Sequence, residues 1–234
     1  MPHLEYTPLE PLAVPRPVRR VAYVAAQCRG KAVLDLGCYD ETALLKRGTH
    51  HWLHGEIARV ARSVLGVDNS DAIGPEGVVT GPSSRIVRGD ASDLERLVRG
   101  VEVEVIVAGE LIEHLPNTVA FLAELRRLFP GRALLATTPN ATSLTNLLLG
   151  AVRRENNHRD HLQVYSFKTL NTVCRRVGFA SWTIVPYYIY YTEMGLRSGP
   201  IVRPLVRAAE TVVNGGEFLF PLLAGGLILH VDRM

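Results

Sequence analysis

Short runs of aliphatic and β-branched residues alternate with longer amphipathic stretches along this 234-residue chain. The short runs predict strands over 32–36, 63–67, 85–87, 103–108, 133–137, 180–185 and 227–231. Stretches whose apolar positions recur every three or four residues predict helices over 16–28, 51–62, 91–98, 118–128, 166–177 and 201–213. Such alternation is the signature of a sheet covered by helices on both faces, so the expected fold is α/β, a doubly wound and mostly parallel sheet of seven strands. It reads as one domain over 1–234, with a helical cap over 1–30 and a helical insertion over 186–226 before the last strand.

Two segments interrupt the alternation, a polar stretch over 38–50 and a longer one over 140–163. Ligands of open α/β sheets bind beyond the carboxyl ends of the strands, so both segments are expected over an active site. Tyr187, Tyr188, Tyr190 and Tyr191 follow the sixth predicted strand and either line that cleft or pack as an amphipathic edge.

Composition narrows the classes. Hydrophobic residues at 47% and charged residues at 21% exclude a disordered chain. A net charge of +3 is too mild for a nucleic-acid binder. Cys28, Cys38 and Cys174 have no metal-like spacing and suit a reduced, cytoplasmic setting. Acidic and proline residues break up the N-terminus before a signal-like apolar run develops. The longest apolar run, over 218–231, is too short to span a bilayer and contains Pro221 and Gly225-Gly226.

The first predicted strand ends in Val33-Leu34-Asp35-Leu36-Gly37-Cys38, where Gly37 lets backbone approach a ligand closely. The second ends in Asp68-Asn69, a carboxylate placed to accept both hydroxyls of a ribose. The third is followed by Asp90-Ala91, an acceptor suited to an exocyclic adenine amine. In this ordered set the chain resembles the class I S-adenosylmethionine-dependent methyltransferases, from about residue 31 to 179. The resemblance implies a Rossmann-like sheet with an antiparallel last strand. It also implies that Asp35 and Gly37 face the methionine part of the cofactor, Asp68 and Asn69 the ribose, and Asp90 and Ala91 the adenine. A dinucleotide oxidoreductase is the rival, but its G-x-G-x-x-G loop is missing. The family's second glycine is replaced by Tyr39-Asp40-Glu41, and Asp35 and Asp68 stand 33 positions apart, a wider spacing than is usual. The loop over the methionine end is therefore expected to be rebuilt.

After the fourth predicted strand comes Glu110-Leu111-Ile112-Glu113-His114. On a helical turn, positions i, i+3 and i+4 share a face, so Glu110, Glu113 and His114 can converge into a site for Mg²⁺, Mn²⁺ or Fe²⁺. Thr138-Pro139-Asn140 then leads towards Asp160-His161. This E-x-x-E-H, T-P-N, D-H arrangement is similar to that of small-RNA 2′-O-methyltransferases, and the E-x-x-E-H also to that of ubiquinone-pathway O-methyltransferases. The resemblance implies Glu110, Glu113, His114 and His161 as ligands of a metal such as Mg²⁺ or Mn²⁺. Two other readings stand beside it: a histidine base acting without metal, and a structural role. His158 suits a base or a substrate contact, while His50, His51 and His54 read as solvated loop and helix residues.

The expected function is an S-adenosylmethionine-dependent O-methyltransferase acting on a hydroxylated small molecule such as a sugar, a catechol or a polyketide-like metabolite. Nucleic acid is not an expected partner, because no added RNA-binding domain or basic-aromatic platform is visible. A methyltransferase fold that binds a ligand or partner without turnover is the alternative from another class. The predicted helix over 201–213, with Arg203 and Arg207, caps the cleft, forms a homodimer contact or packs in the core.

Overall fold

The computed structural model describes residues 4–39, 42–90 and 93–234. Its first strand, β1 (Ala32–Leu36), is buried at every position, as a strand covered on both faces must be. Alternate side chains enter opposite layers. Val33 packs with Val24, Cys28 and Ile57, whereas Leu34 packs with Leu122, Leu125 and Leu170, the period-two consequence of the pleat. Two cores thus flank one sheet, and the doubly wound expectation is met.

The other strands are β2 (Ser63–Asp68), β3 (Val78–Gly81), β4 (Ser84–Arg88), β5 (Val105–Gly109), β6 (Ala133–Pro139), β7 (Thr183–Tyr187) and β8 (Gly226–Val231). Their order is β3-β4-β2-β1-β5-β6-β8-β7. The segment β4-β2-β1-β5-β6 is parallel. β8 runs antiparallel between β6 and β7, so the last strand has the expected direction. The strand count differs from expectation: β3 pairs antiparallel with β4 as an eighth, edge strand. Three of its four residues are partly buried and Val79 is exposed, so they lack the apolar contrast that marks the inner strands.

Helices α1 (Arg20–Cys28) and α3 (Leu53–Val60) lie against each other on one face. α5 (Thr118–Leu128) and α7 (Phe167–Val177) form such a pair within the other core. The polar stretch after β1 contains α2 (Ala43–Lys46), and α4 (Leu94–Leu97) is shorter than predicted. The stretch over 140–163 is less irregular than expected, because it holds α6 (Leu144–Ala151), capped by the Ser143 side chain. α8 (Thr192–Arg197) and α9 (Val202–Leu219) stand between β7 and β8. No described helix is long and apolar enough to cross a membrane. Burial pushes the thiols of Cys28 and Cys174 up to about 12, so both serve as packing groups.

Candidate functional site

The carboxyl ends of β1, β2 and β4 lie side by side, since these strands are adjacent and parallel. Gly37 follows β1 at φ +68, a left-handed conformation that suits glycine, and its N–H donates to the Val67 carbonyl at 2.9 Å. One oxygen of Asp68 accepts the Tyr39 N–H at 2.8 Å, and the other accepts the Ser70 N–H at 2.9 Å. The carboxylate is therefore held by the backbone of two loops. Asn69 and Asp90 are exposed beside it. Ala91 lies outside the described residues.

Asp35 points elsewhere than at an open cleft. It is 2% exposed and its Oδ2 lies 2.8 Å from Nδ1 of His54. The other ring nitrogen of His54 reaches the Thr80 hydroxyl at 2.8 Å and the Ser84 hydroxyl at 3.2 Å. His54 is 1% exposed, which overturns the solvated reading of that residue. It shares the inward face of α3 with Ile57, three residues on, a spacing that was present in the sequence. The edge strand β3 supplies Thr80, so the buried network links β1, α3, β3 and β4.

At the end of β5 the backbone turns sharply. Glu110 has φ +56, a region that costs a non-glycine residue on the order of 1 kcal/mol and persists only where the surroundings impose it. Here they do. Its backbone N–H donates to the carbonyl and hydroxyl of Thr137. Its Oε1 accepts the Tyr187 hydroxyl at 2.7 Å and the Thr137 hydroxyl at 3.1 Å, and Nη1 of Arg20 lies 3.1 Å away. Gly226 makes room for this arrangement, because a Cβ there would fall 2.0 Å from Cζ of Tyr187. Burial, followed by the Glu110 charge, holds the Tyr187 hydroxyl well above the usual phenol range, so it remains a donor. Of the four tyrosines at and beyond the end of β7, Tyr187 enters the site. Arg20, from α1, carried no local signal.

The next turn is a single 3₁₀ turn, Ile112–His114. It carries Glu113 inward, 1% exposed, with neither carboxylate oxygen hydrogen-bonded among the described residues. The Thr138 hydroxyl lies nearby without reaching hydrogen-bonding geometry. Burial, aided by the Glu110 charge, raises the Glu113 carboxyl to about 8. The turn is pinned from below, since Thr118 donates to the Ile112 carbonyl at 2.9 Å and lies 2.7 Å from the Tyr165 hydroxyl.

The D-H segment is stitched onto this turn. The N–H groups of Leu162 and Gln163 both donate to the Glu113 carbonyl, at 2.9 and 3.1 Å, and the Gln163 amide donates to the Leu115 carbonyl at 2.6 Å. The stitching brings the imidazoles of His114 and His161 to 4.7 Å between centroids, with His158 at 6.0 Å from His114 and 5.6 Å from His161. One ligand atom from each of these three histidines falls within 4.8 Å of the others. Nδ1 of His161 is buried and without a hydrogen-bond partner among the described residues. Burial, with His114 next, lowers the His161 pKa and favours the neutral ring. The structure thus gathers His114, His158 and His161. Glu113 stands buried on the same turn as His114, and Glu110 is engaged with Arg20, Tyr187 and Thr137. A cavity of about 390 Å³ opens beside the cluster, lined by His158, His161 and Gln163 among others.

A family profile described as a methyltransferase domain matches residues 14–184. No curated protein matches the chain significantly. Among solved structures, an S-adenosylmethionine-dependent methyltransferase from Archaeoglobus fulgidus superposes with a TM-score of 0.56 at 16% identity, over 92% of this chain and 91% of that one. The small RNA methyltransferase HEN1 gives the same TM-score and identity, over 92% of this chain but only 25% of its own. The cyclase SpnF follows with 0.51 at 16% identity, over 92% and 80%. At these identities the likeness to solved structures is one of fold.

Proposed function

Given that the chain belongs to the methyltransferase-domain family and is an S-adenosylmethionine-dependent methyltransferase, we propose that it methylates a hydroxyl of a small molecule at the cluster of His114, His158 and His161. The observation that carries this reading is the convergence of three imidazoles, one of them on the turn after β5 that also carries the buried Glu113. A hydroxyl needs deprotonation before it attacks a sulfonium methyl at neutral pH, and such a cluster suits that task.

The cofactor fits the carboxyl edge of the sheet. Asp68, held by the Tyr39 and Ser70 N–H groups, presents a carboxylate at the end of β2, an acceptor suited to ribose hydroxyls. Asn69 beside it and Asp90 at the end of β4 are exposed towards solvent, where ribose and adenine would lie. Gly37 carries the chain past the methionine end. Asp35 would act there through its contact with His54 and not as an open ligand.

A divalent metal also fits the donor chemistry. His114, His158 and His161 would hold it, with Glu113 as the nearest buried carboxylate in sequence. Three imidazoles favour Fe²⁺ or Zn²⁺ over Mg²⁺ and Mn²⁺, which prefer oxygen. When bound, the ion would act as a Lewis acid on the acceptor hydroxyl. The chain's own part is to orient the acceptor and to keep His161 neutral, ready to take a proton or to ligate. Glu110, fixed by Arg20 and Tyr187, would place negative charge near His161, and its effect on that ring is the raising one expected of a carboxylate. The mild net charge of +3 supports a small acceptor such as a sugar, catechol or polyketide-like metabolite over a nucleic acid.

The test is methyl transfer to paired hydroxyl and amine acceptors, before and after exhaustive chelation, with Mg²⁺, Mn²⁺, Fe²⁺ and Zn²⁺ added back separately. Transfer to hydroxyls that is lost on chelation and restored by an ion supports the whole reading. Full activity in the stripped enzyme rejects the ion and leaves His114 or His161 as the base. Transfer confined to amines overturns the hydroxyl assignment.

A further inference from the structure

Helix α9 turns its acids inward and its apolar residues outward. Glu217 is fully buried, and its Oε2 accepts the Ile189 N–H at 3.0 Å. Glu210 likewise accepts the Tyr191 N–H at 2.8 Å. Both side chains tie down the segment after β7, together with the buried Val206. The opposite face carries Ile201, Leu205, Val212 and Leu219, which are 84, 68, 75 and 65% exposed. Ala208 and Gly215 complete the row, and its spacing of three or four residues gives a continuous stripe along the helix. Helix α6 lies against α9 where Gly216 leaves space, since a Cβ there would meet Leu144 at 2.8 Å. The same helix exposes Leu147 and Leu148 at 60 and 54%. A solvent-exposed apolar stripe that runs the length of an 18-residue helix marks an interaction site.

Charge identifies the occupant. Arg197 and Arg207 are exposed on α8 and α9, and Arg153 and Arg154 are exposed just after α6, while the guanidinium of Arg203 donates to the Gly195 and Ser198 carbonyls. The exposed acids in the same segments are Glu155 and Glu193, and Glu193 is paired with Lys46 at 3.4 Å. A second copy would meet this face through a two-fold seam that sets arginines against arginines. An anionic bilayer complements both features at once: headgroups for the guanidinium groups and the acyl boundary for the stripe. The 18-residue α9 is too polar on its inner face to span a bilayer, but it is about 27 Å long and can lie in the plane of one.

We propose that the outer face of α9, continued by α6, seats this enzyme on the surface of an anionic phospholipid membrane. The reading is independent of which acceptor is methylated. It is tested with the full chain by flotation with vesicles of phosphatidylcholine, alone or containing phosphatidylglycerol. Binding to the anionic vesicles, and at least about tenfold weaker binding to phosphatidylcholine alone, is expected. Arg197→Gln with Arg207→Gln should weaken binding about thirtyfold, the equivalent of about 1 kcal/mol for each arginine near an anionic surface. Leu205→Glu with Val212→Glu should abolish it, while circular dichroism and S-adenosylmethionine affinity stay unchanged, because both positions face solvent. Absence of binding to either vesicle overturns the proposal, as does binding that neither pair of substitutions alters. A stable dimer in light scattering that Leu205→Glu with Val212→Glu dissociates also overturns it and assigns the face to a second copy.

Discussion

Replacing Glu113 by glutamine removes a titration that the fold has displaced. The unfolded chain ionises this carboxyl at its ordinary 4.5, whereas burial and the Glu110 charge hold it protonated to about 8 in the folded protein. A raised acid pKa means that the folded state holds the proton more tightly. The associated stability is present in full below the unfolded value and is lost as pH rises towards the folded one. Between roughly pH 5 and roughly pH 7 the loss should be about 2–3 kcal/mol, approaching about 5 kcal/mol above the folded value. Glu113→Gln keeps the shape and cannot ionise, so it should lack this slope. Other groups, including His161 with its lowered pKa, contribute opposing slopes, but these are common to both proteins and cancel in the difference. The assay is urea denaturation of metal-free wild type and Glu113→Gln at several pH values. Parallel stability curves for the two proteins would refute the reasoning and show that Glu113 ionises normally in its pocket.

Asp68→Ala should weaken S-adenosylmethionine binding by about 1.5–3 kcal/mol, the loss expected for a charge-assisted hydrogen bond; unchanged affinity in titration calorimetry would remove Asp68 from the ribose site. The His161 ring should titrate below its ordinary 6.5 in the metal-free protein and move upward in His114→Ala, since burial and then His114 lower it; a midpoint at or above 6.5 in nuclear magnetic resonance would contradict this. Gly226→Ala should destabilise the fold by about 1–3 kcal/mol through overpacking, because its methyl would collide with the Tyr187 ring. In the same variant, activity should fall as the Tyr187–Glu110 contact opens; a neutral thermal midpoint would refute it.

The strands that were plain in the sequence are those buried on both faces. β5 reads as an unbroken apolar run, and β1 and β6 as runs that turn polar only near their carboxyl ends, because helices cover them twice. β3 did not, since Val78–Gly81 is partly exposed and pairs in the sheet with β4 alone. Helix α6 was hidden for the opposite reason. Leu144–Ala151 is apolar nearly all round, and it shows outward leucines that no core-facing period predicts. In the site, E-x-x-E-H and D-H were legible as motifs, and the backbone bonds from Leu162 and Gln163 to Glu113 explain why they meet. The partners of Glu110 were not legible, because Arg20 and Tyr187 arrive from distant elements through the topology of the sheet. His54 was misread because a histidine flanked by a glycine and a polar loop resembles a surface residue, yet Asp35 needs a buried donor there.

The position of β8 governs the order in which the molecule can assemble. Last in sequence, β8 sits between β6 and β7, and β6 lies far earlier in the chain. Until β8 emerges during synthesis, β6 presents an unpaired edge and β7 has no strand to join. Gly226, which gives Tyr187 its place, arrives with it. The parallel segment from β4 to β6 can therefore form on the ribosome, but the Arg20–Glu110–Tyr187 contact closes only after translation has passed β8. Such late, non-local closure slows folding and leaves the β6 edge open to mispairing in the interval.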